Sequence, residues 1–576
     1  MKTTETNETR YVLLICLVGL TLTLPAFFSD FYSGHNALTH LNWSRQFAQQ
    51  LWSGDVYPRW LAGMNNGLGS PAFFYYFPLP FYFTSLLHAP FLSLDPTGWL
   101  QIGISYAVAF LLSGLTCYLW LRGKNDPAPA FVGAIFYMIA PYHLLVDLYY
   151  RSAFAEFWAF VFIPLSLYFV DKMQQQKRLF PVGFSLSYAL LFLSHLPTVL
   201  FFSPFLLGYL FFTAQPAVRV KAVARSIRFM LIGAGVAGFY WIPAILTQSN
   251  VSFVEMHNGE FFFGNNFLFS SINVHPKNVE LGYYLSFLSY STLITAFICL
   301  LSWMLAREKN SPRPSAAFWG GIVIISFFMM TEASSWLWQT LPLLHRIQFP
   351  YRFNVLLTLA GSMLVAGALS SIVAAKIGHA ARIWIVLTSA FFLSQFIIVG
   401  VTVYERKTGH WDETTLQVIA RELAFFPEVA EYLPRWANPQ LFPVTSTQDQ
   451  LGDFPDVMIR DGSGSASVLS RGPKWFILQI NAISPMTLTL RHLYYPGWVA
   501  SFDAGGMRAQ IFPSKEEGFL SVTVPSGSHK LSLALKAGTT EITGAVISLF
   551  SAVLCLFLLL RDKIMMADSP RGVDVP

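Results

Sequence analysis

Charge is what this sequence has least of: Asp, Glu, Lys and Arg make up only 12% of its 576 residues. A water-soluble domain usually has about a quarter of its residues charged, so a chain this poor in charge is not an ordinary soluble protein. Cysteine is scarce too. The four present, Cys16, Cys117, Cys299 and Cys555, all lie inside apolar runs and are expected to be small buried hydrophobes with no disulfide between them. There is no phosphate-binding P-loop, no G-x-G-x-x-G following a strand and no G-x-S-x-G nucleophile elbow. These absences set aside nucleotide-driven transport by this chain. What is abundant is apolar surface: 54% of residues are hydrophobic and 16% aromatic, the composition of a polytopic membrane protein. The net charge of +6 marks no nucleic-acid partner, because the Lys and Arg fall mostly in short loops between apolar runs.

The first run, residues 11–28, is long enough to cross a bilayer core of ~30 Å and is preceded by Lys2 and Arg10. No small-x-small cleavage site follows it, so it is expected to be an uncleaved anchor with its N-terminus inside. Residues 73–94 contain Pro78, Pro80 and Pro90. Counting them as a span would put Arg122 and Lys124 outside, so they are expected to form a broken interfacial or re-entrant helix. Spans are then expected at 11–28, 99–121, 128–145, 157–170, 181–194, 200–212, 229–246, 281–305, 316–330, 354–375, 383–403 and 542–560. That makes about twelve, with every alternate loop basic and both termini cytoplasmic. Residues 404–541 are polar and are expected outside the membrane as an α+β domain. It has a helical pattern in its first half and alternating, sandwich-like strands such as "GFLSVTVPSG" in its second. The division is therefore a bundle over 1–403 with an outer loop at 29–97, the outer domain over 404–541, and a last helix and tail over 542–576.

Ionisable groups beside apolar spans are expensive unless used or paired, and the outer loops supply them. Asp30, His35, His40, Arg45, Asp55 and Arg59 lie in the first, His143, Asp147, Arg151 and Glu156 in the second, Glu255, His257, Glu260 and His275 in the third, and His345, Arg346 and Arg352 in the fourth. Acids mixed with arginines suit an anionic, hydroxylated substrate. Each residue also has a plainer reading. Asp30 is equally a cap for a helix starting near Ser33, Arg151 and Glu156 a mutual ion pair, and Arg352 an anchor in the headgroups. His35 and His40 are five residues apart, about 140° around a helix, so they do not form one metal-binding face. No cofactor is expected, and dependence on a divalent metal is left open.

The stretches "SDFYSGHNALTH", "LWSGDVYPRWLAG", "YHLLVDLYYRSAFAEFWAF", "RIQFPYRF" and "YYPGW…GFLSVTVPSGSHKLSL" resemble, in that order, the bacterial membrane proteins grouped as 6-pyruvoyl-tetrahydropterin-synthase-related. More broadly the chain resembles the GT-C glycosyltransferase superfamily. GT-C enzymes often pair two acids in the first outer loop, whereas here Asp30 is followed by Phe31 and Tyr32. The resemblance implies transfer of a sugar from a polyprenyl-phosphate donor to an envelope glycan, lipid or protein acceptor at the outer face of the cytoplasmic membrane. Asp30 would be the base, and Arg352, backed by Arg151 and Arg59, would meet the lipid phosphate. Glu156 or Asp147 would orient the acceptor or hold an arginine, and His35 would bind a sugar hydroxyl. Two rivals stand beside this: a flippase for a lipid-linked intermediate, and a non-catalytic scaffold of a polysaccharide assembly complex.

Overall fold

A computed structural model describes residues 2–27, 34–91, 98–174, 180–252, 261–270, 279–306, 316–374, 378–407, 432–442, 454–503 and 506–567. The expected helical pattern after residue 412 falls largely outside them.

The protein is a mostly helical membrane protein with an antiparallel β-domain near its C-terminus. Among the described residues nine helices are long and apolar enough to span a membrane. Two shorter apolar helices, Phe180–Ser194 and Ala316–Met329, and one bent pair occupy three further places where spans were expected. Three spans form the centre of the bundle: Pro127–Tyr150, 89% buried, and Phe154–Gln174 and Pro350–Ala374, each 78% buried. Thr539–Arg561, at 22%, lies on the outside. The stretch read as interfacial is indeed broken, into helices Ala72–Tyr75 and Leu79–Phe91 on either side of Pro78.

The expected span 229–246 is not one straight helix. Pro216–Val236 and Gly238–Leu246 meet at 80°. A break frees backbone groups that lipid cannot satisfy, so the protein has to bond them. Ser548 in the last helix does so, accepting from Phe239 N at 2.7 Å and donating to Gly235 O at 3.1 Å. Arg59 Nη2 donates to Phe239 O at 2.7 Å. The backbones come this close because Gly544 has no side chain: a Cβ there would sit 2.6 Å from Gly238 O.

Among the described residues nine strands make two antiparallel sheets. They are β1 Val457–Asp461, β2 Gly464–Gly472, β3 Trp475–Ala482, β4 Met486–Leu493, β5 Trp498–Phe502, β6 Arg508–Ala509, β7 Ile511–Pro513, β8 Phe519–Val524 and β9 Gly527–Leu535. One sheet has the order β1-β4-β8-β7 and the other β2-β3-β9-β5-β6. Leu478, Ile480, Leu488, Val522, Leu531 and Leu533 alternate inward and are fully buried, the packing an alternating pattern dictates. The domain is docked on the loop that contains Trp60. Leu493 N donates to Leu68 O at 2.9 Å, and Lys474 Nζ pairs with Asp55 at 2.6 Å. The Trp60 indole lies against His492 and Trp498. Gly69, at φ +87°, is required here, since a Cβ would fall 2.4 Å from the Trp60 ring.

Candidate functional site

The site is built where the three central spans end on the side of the bundle that faces the β-domain. Pro141 has no N–H to offer Tyr137 O, and the His143 ring takes that carbonyl instead, Nδ1 to O 3.0 Å. Beyond the proline the chain winds as a π-helix, Tyr142–Tyr150, a wide form that recurs at functional positions. It ends in a tight reversal with Ser152 at φ +51°, where Ala153 N donates to Asp147 O at 2.7 Å. This geometry turns Asp147 and Arg151 toward Glu156, in the first turn of Phe154–Gln174. Arg352 arrives from the other side, on the 3-10 turn Pro350–Phe353.

Glu156 is the hub. Its Oε2 accepts from Arg151 Nη1 at 3.0 Å and from Arg352 Nε at 3.2 Å, and its Oε1 accepts from Tyr142 Oη at 2.7 Å. Arg151 Nη1 also donates to Asp147 Oδ1 at 2.8 Å and to Tyr142 Oη at 3.3 Å, and Arg352 Nη1 donates to Ile347 O at 2.6 Å. The Phe349 ring lies under both guanidinium groups, 5.7 Å from Arg151 and 5.0 Å from Arg352. His195 Nε2 stands 4.0 Å from Glu156 Oε2, while its Nδ1 is bonded to Thr198 Oγ1 at 2.7 Å. Asp147 Oδ2 makes no hydrogen bond with any described residue. Nor do Arg151 Nε and Nη2 or Arg352 Nη2, because the bonds above use the other nitrogens. The cluster therefore offers unbonded guanidinium N–H groups from two directions around one carboxylate, the arrangement that receives a phosphate.

Of the residues singled out in the sequence, the structure brings together Asp147, Arg151, Glu156 and Arg352. Asp30, like Glu255, His257, Glu260 and His275, lies outside the described residues. The chain just after Asp30 does reach the site: His35 N donates to Tyr150 O at 3.0 Å and Asn36 N to Arg151 O at 3.1 Å. The His35 ring is exposed, its Nδ1 3.0 Å from Asn36 Oδ1. Arg59 sits elsewhere, stacked on Tyr57 at 4.5 Å and bonded to the broken helix. His40 is buried, its Nε2 2.8 Å from Tyr76 Oη, and burial brings its imidazole down to about 3. It is therefore neutral at physiological pH. Sequence reading missed Tyr142, His195 and Phe349. The signal for His195 was present, a lone ionisable residue in the apolar stretch "LFLSHLPTVLFF".

Residues 73–406 match the family model described as the 6-pyruvoyl-tetrahydropterin synthase related domain, a membrane protein, and this is more than half of the chain. The chain belongs to that family. The matched part of this 6-pyruvoyl-tetrahydropterin synthase related protein contains Asp147, Arg151, Glu156, His195 and Arg352. Asp30 and the β-domain lie beyond it. No curated protein matches the chain. Among solved structures it is similar to the arabinofuranosyltransferase AftD from Mycobacteria, with 14% identity and a TM-score of 0.44 over 68% of this chain and 27% of that one. It is also similar to the oligosaccharyltransferase of Archaeoglobus fulgidus, with 12% identity and a TM-score of 0.41 over 74% and 57%. The chain thus spans about a quarter of the length of the first and little more than half of the second.

Proposed function

We propose that this protein is a glycosyltransferase of the cytoplasmic membrane. It takes a sugar from a polyprenyl-phosphate donor and transfers it to an envelope glycan, lipid or protein acceptor at the outer face, the side of the β-domain. The observation that supports this best is the buried Glu156 carboxylate with Arg151 and Arg352 both bonded to it, each retaining unbonded N–H groups. A lipid phosphate brought to the end of the bundle meets those groups while its isoprenoid tail stays among the spans. In the reaction the acceptor hydroxyl oxygen bonds to the anomeric carbon, the bond from that carbon to the phosphate oxygen breaks, and the electron pair leaves with the lipid phosphate. The two arginines stabilise the charge that grows there. A carboxylate takes the hydroxyl proton, and the family resemblance assigns that part to Asp30. Glu156 is a positioning residue, fixing the angle between the guanidinium planes, and Asp147 orients Arg151.

The test is transfer by the purified protein, supplied with radiolabelled polyprenyl-phosphate sugars, together with mass spectrometry of lipid-linked sugars in a deletion strain. The sugar that accumulates in the strain should be the one transferred in vitro. A deletion strain with an unchanged lipid-linked pool, and no transfer from any donor offered, would remove the enzyme reading and leave the scaffold.

A further inference from the structure

Counted with both carboxylates ionised, the cluster is electrically balanced. Two carboxylates, Asp147 and Glu156, face two guanidinium groups, Arg151 and Arg352, and none of the four residues is more than 9% exposed. A phosphate diester entering this site adds a negative charge with no countercharge, and an uncompensated buried charge is strongly unfavourable. One proton restores the balance.

The groups that could take it differ in what they would lose. Glu156 uses both oxygens, accepting three hydrogen bonds, two of them from arginine. Protonation would weaken all three. His195 has one nitrogen on Thr198 and the other 4.0 Å from Glu156, with both arginines nearby to oppose a positive charge. Asp147 is the exception. It is fully buried, Oδ1 accepts one bond from Arg151, and Oδ2 is bonded to no described residue. The other groups facing it are Glu156, Arg352 and Tyr142, with Tyr106 from helix Trp99–Arg122 and Tyr284 from helix Val279–Leu305. A proton on Oδ2 breaks none of the cluster's bonds.

We infer that a lipid phosphate binds at this cluster together with one proton, and that Asp147 receives the proton on Oδ2. The inference rests on the phosphate-binding reading above and adds a stoichiometry to it. The proton comes from solvent, Asp147 becomes a neutral carboxyl, and Oδ1 continues to accept from Arg151. By linkage, affinity then falls about tenfold for each pH unit of alkalinity wherever the proton is taken up on binding.

The experiment uses the full-length protein in nanodiscs and a polyprenyl methyl phosphate, a diester with a fixed single negative charge and no titration of its own near neutrality. Calorimetry in buffers of different ionisation enthalpy measures protons bound per ligand. The expected result is about one for the wild type and none for Asp147→Asn, which still binds the diester and does so without the pH dependence. Infrared difference spectra should show a protonated-carboxyl band appearing when the wild-type protein binds, a readout that does not depend on the variant folding. Binding with no proton uptake by the wild type overturns the inference and leaves the phosphate site standing. Uptake that persists in Asp147→Asn, or that disappears in His195→Gln while Asp147 is intact, overturns the assignment to Asp147. No binding of the diester at all overturns both readings.

Discussion

Arg352→Lys is the most informative single change, because it keeps the charge and removes only the fork. The arginine now spans two acceptors, Glu156 Oε2 at 3.2 Å through Nε and Ile347 O at 2.6 Å through Nη1, with Nη2 left over for a ligand. A lysine has one nitrogen on a flexible stem and cannot serve those two and a phosphate together. At least one charge-assisted hydrogen bond is lost, about 1.5–3 kcal/mol, and in the transition state that is roughly a 10- to 150-fold fall in kcat/KM. Arg352→Ala leaves Glu156 with Arg151 as its only arginine partner and removes a buried ion pair, about 3–5 kcal/mol, so it should also lower the unfolding temperature. The assay pairs transfer kinetics with thermal unfolding in the same detergent. The lysine protein should unfold close to the wild type and transfer slowly. A lysine protein with full activity refutes the phosphate role and leaves Arg352 as a staple between spans.

Asp30→Asn should fold and bind donor yet lose about 10²- to 10⁴-fold in turnover, because an amide replaces a helix cap well but cannot take a proton; near wild-type transfer would pass the base to another carboxylate. Cysteines introduced at Val56, 81% exposed, and at Lys124 should react with a membrane-impermeant reagent from opposite sides, and labelling from the same side would sink the twelve-span topology. His492 is buried against Trp60, Phe476 and Trp498, and burial lowers its imidazole from 6.5 to about 3. Because the unfolded chain takes up that proton first, its contribution is complete above about pH 6.5 and is lost as pH falls, about 2 kcal/mol by pH 5. Unfolding of the β-domain, followed by tryptophan fluorescence at pH 7.5 and pH 5, should show this loss in the wild type and a much smaller one in His492→Gln.

Nine of the expected spans, and the strands, were legible because hydropathy and alternation are local: windows around single segments contain most of the information needed. Arg151, Glu156 and Arg352 were legible as types, charged residues in short outer loops. Their convergence was not, because Arg352 and Glu156 are 196 residues apart and only packing of the spans brings them together. Arg59 shows the same limit from the other side. By type it belongs with the arginines proposed to bind phosphate, yet the structure bonds it to Phe239 O, a carbonyl left without its usual helix partner because Pro243 has no N–H. His195 fell in the short loop between the expected spans 181–194 and 200–212 and was passed over because its neighbours are apolar.

The bend has a consequence for how the chain is made. Phe239 N bonds to Ser548, 309 residues further along. A ribosome adding about 5–20 residues per second needs tens of seconds to cover that distance. Until the last helix is inserted, the freed N–H of Phe239 and carbonyl of Gly235 have no serine to meet them, and an unbonded backbone group in hydrocarbon costs several kcal/mol. The half-made protein therefore has an open polar notch in its side. A nascent chain cut short before residue 548 has that notch permanently. Insertion of helix Thr539–Ala567 closes it.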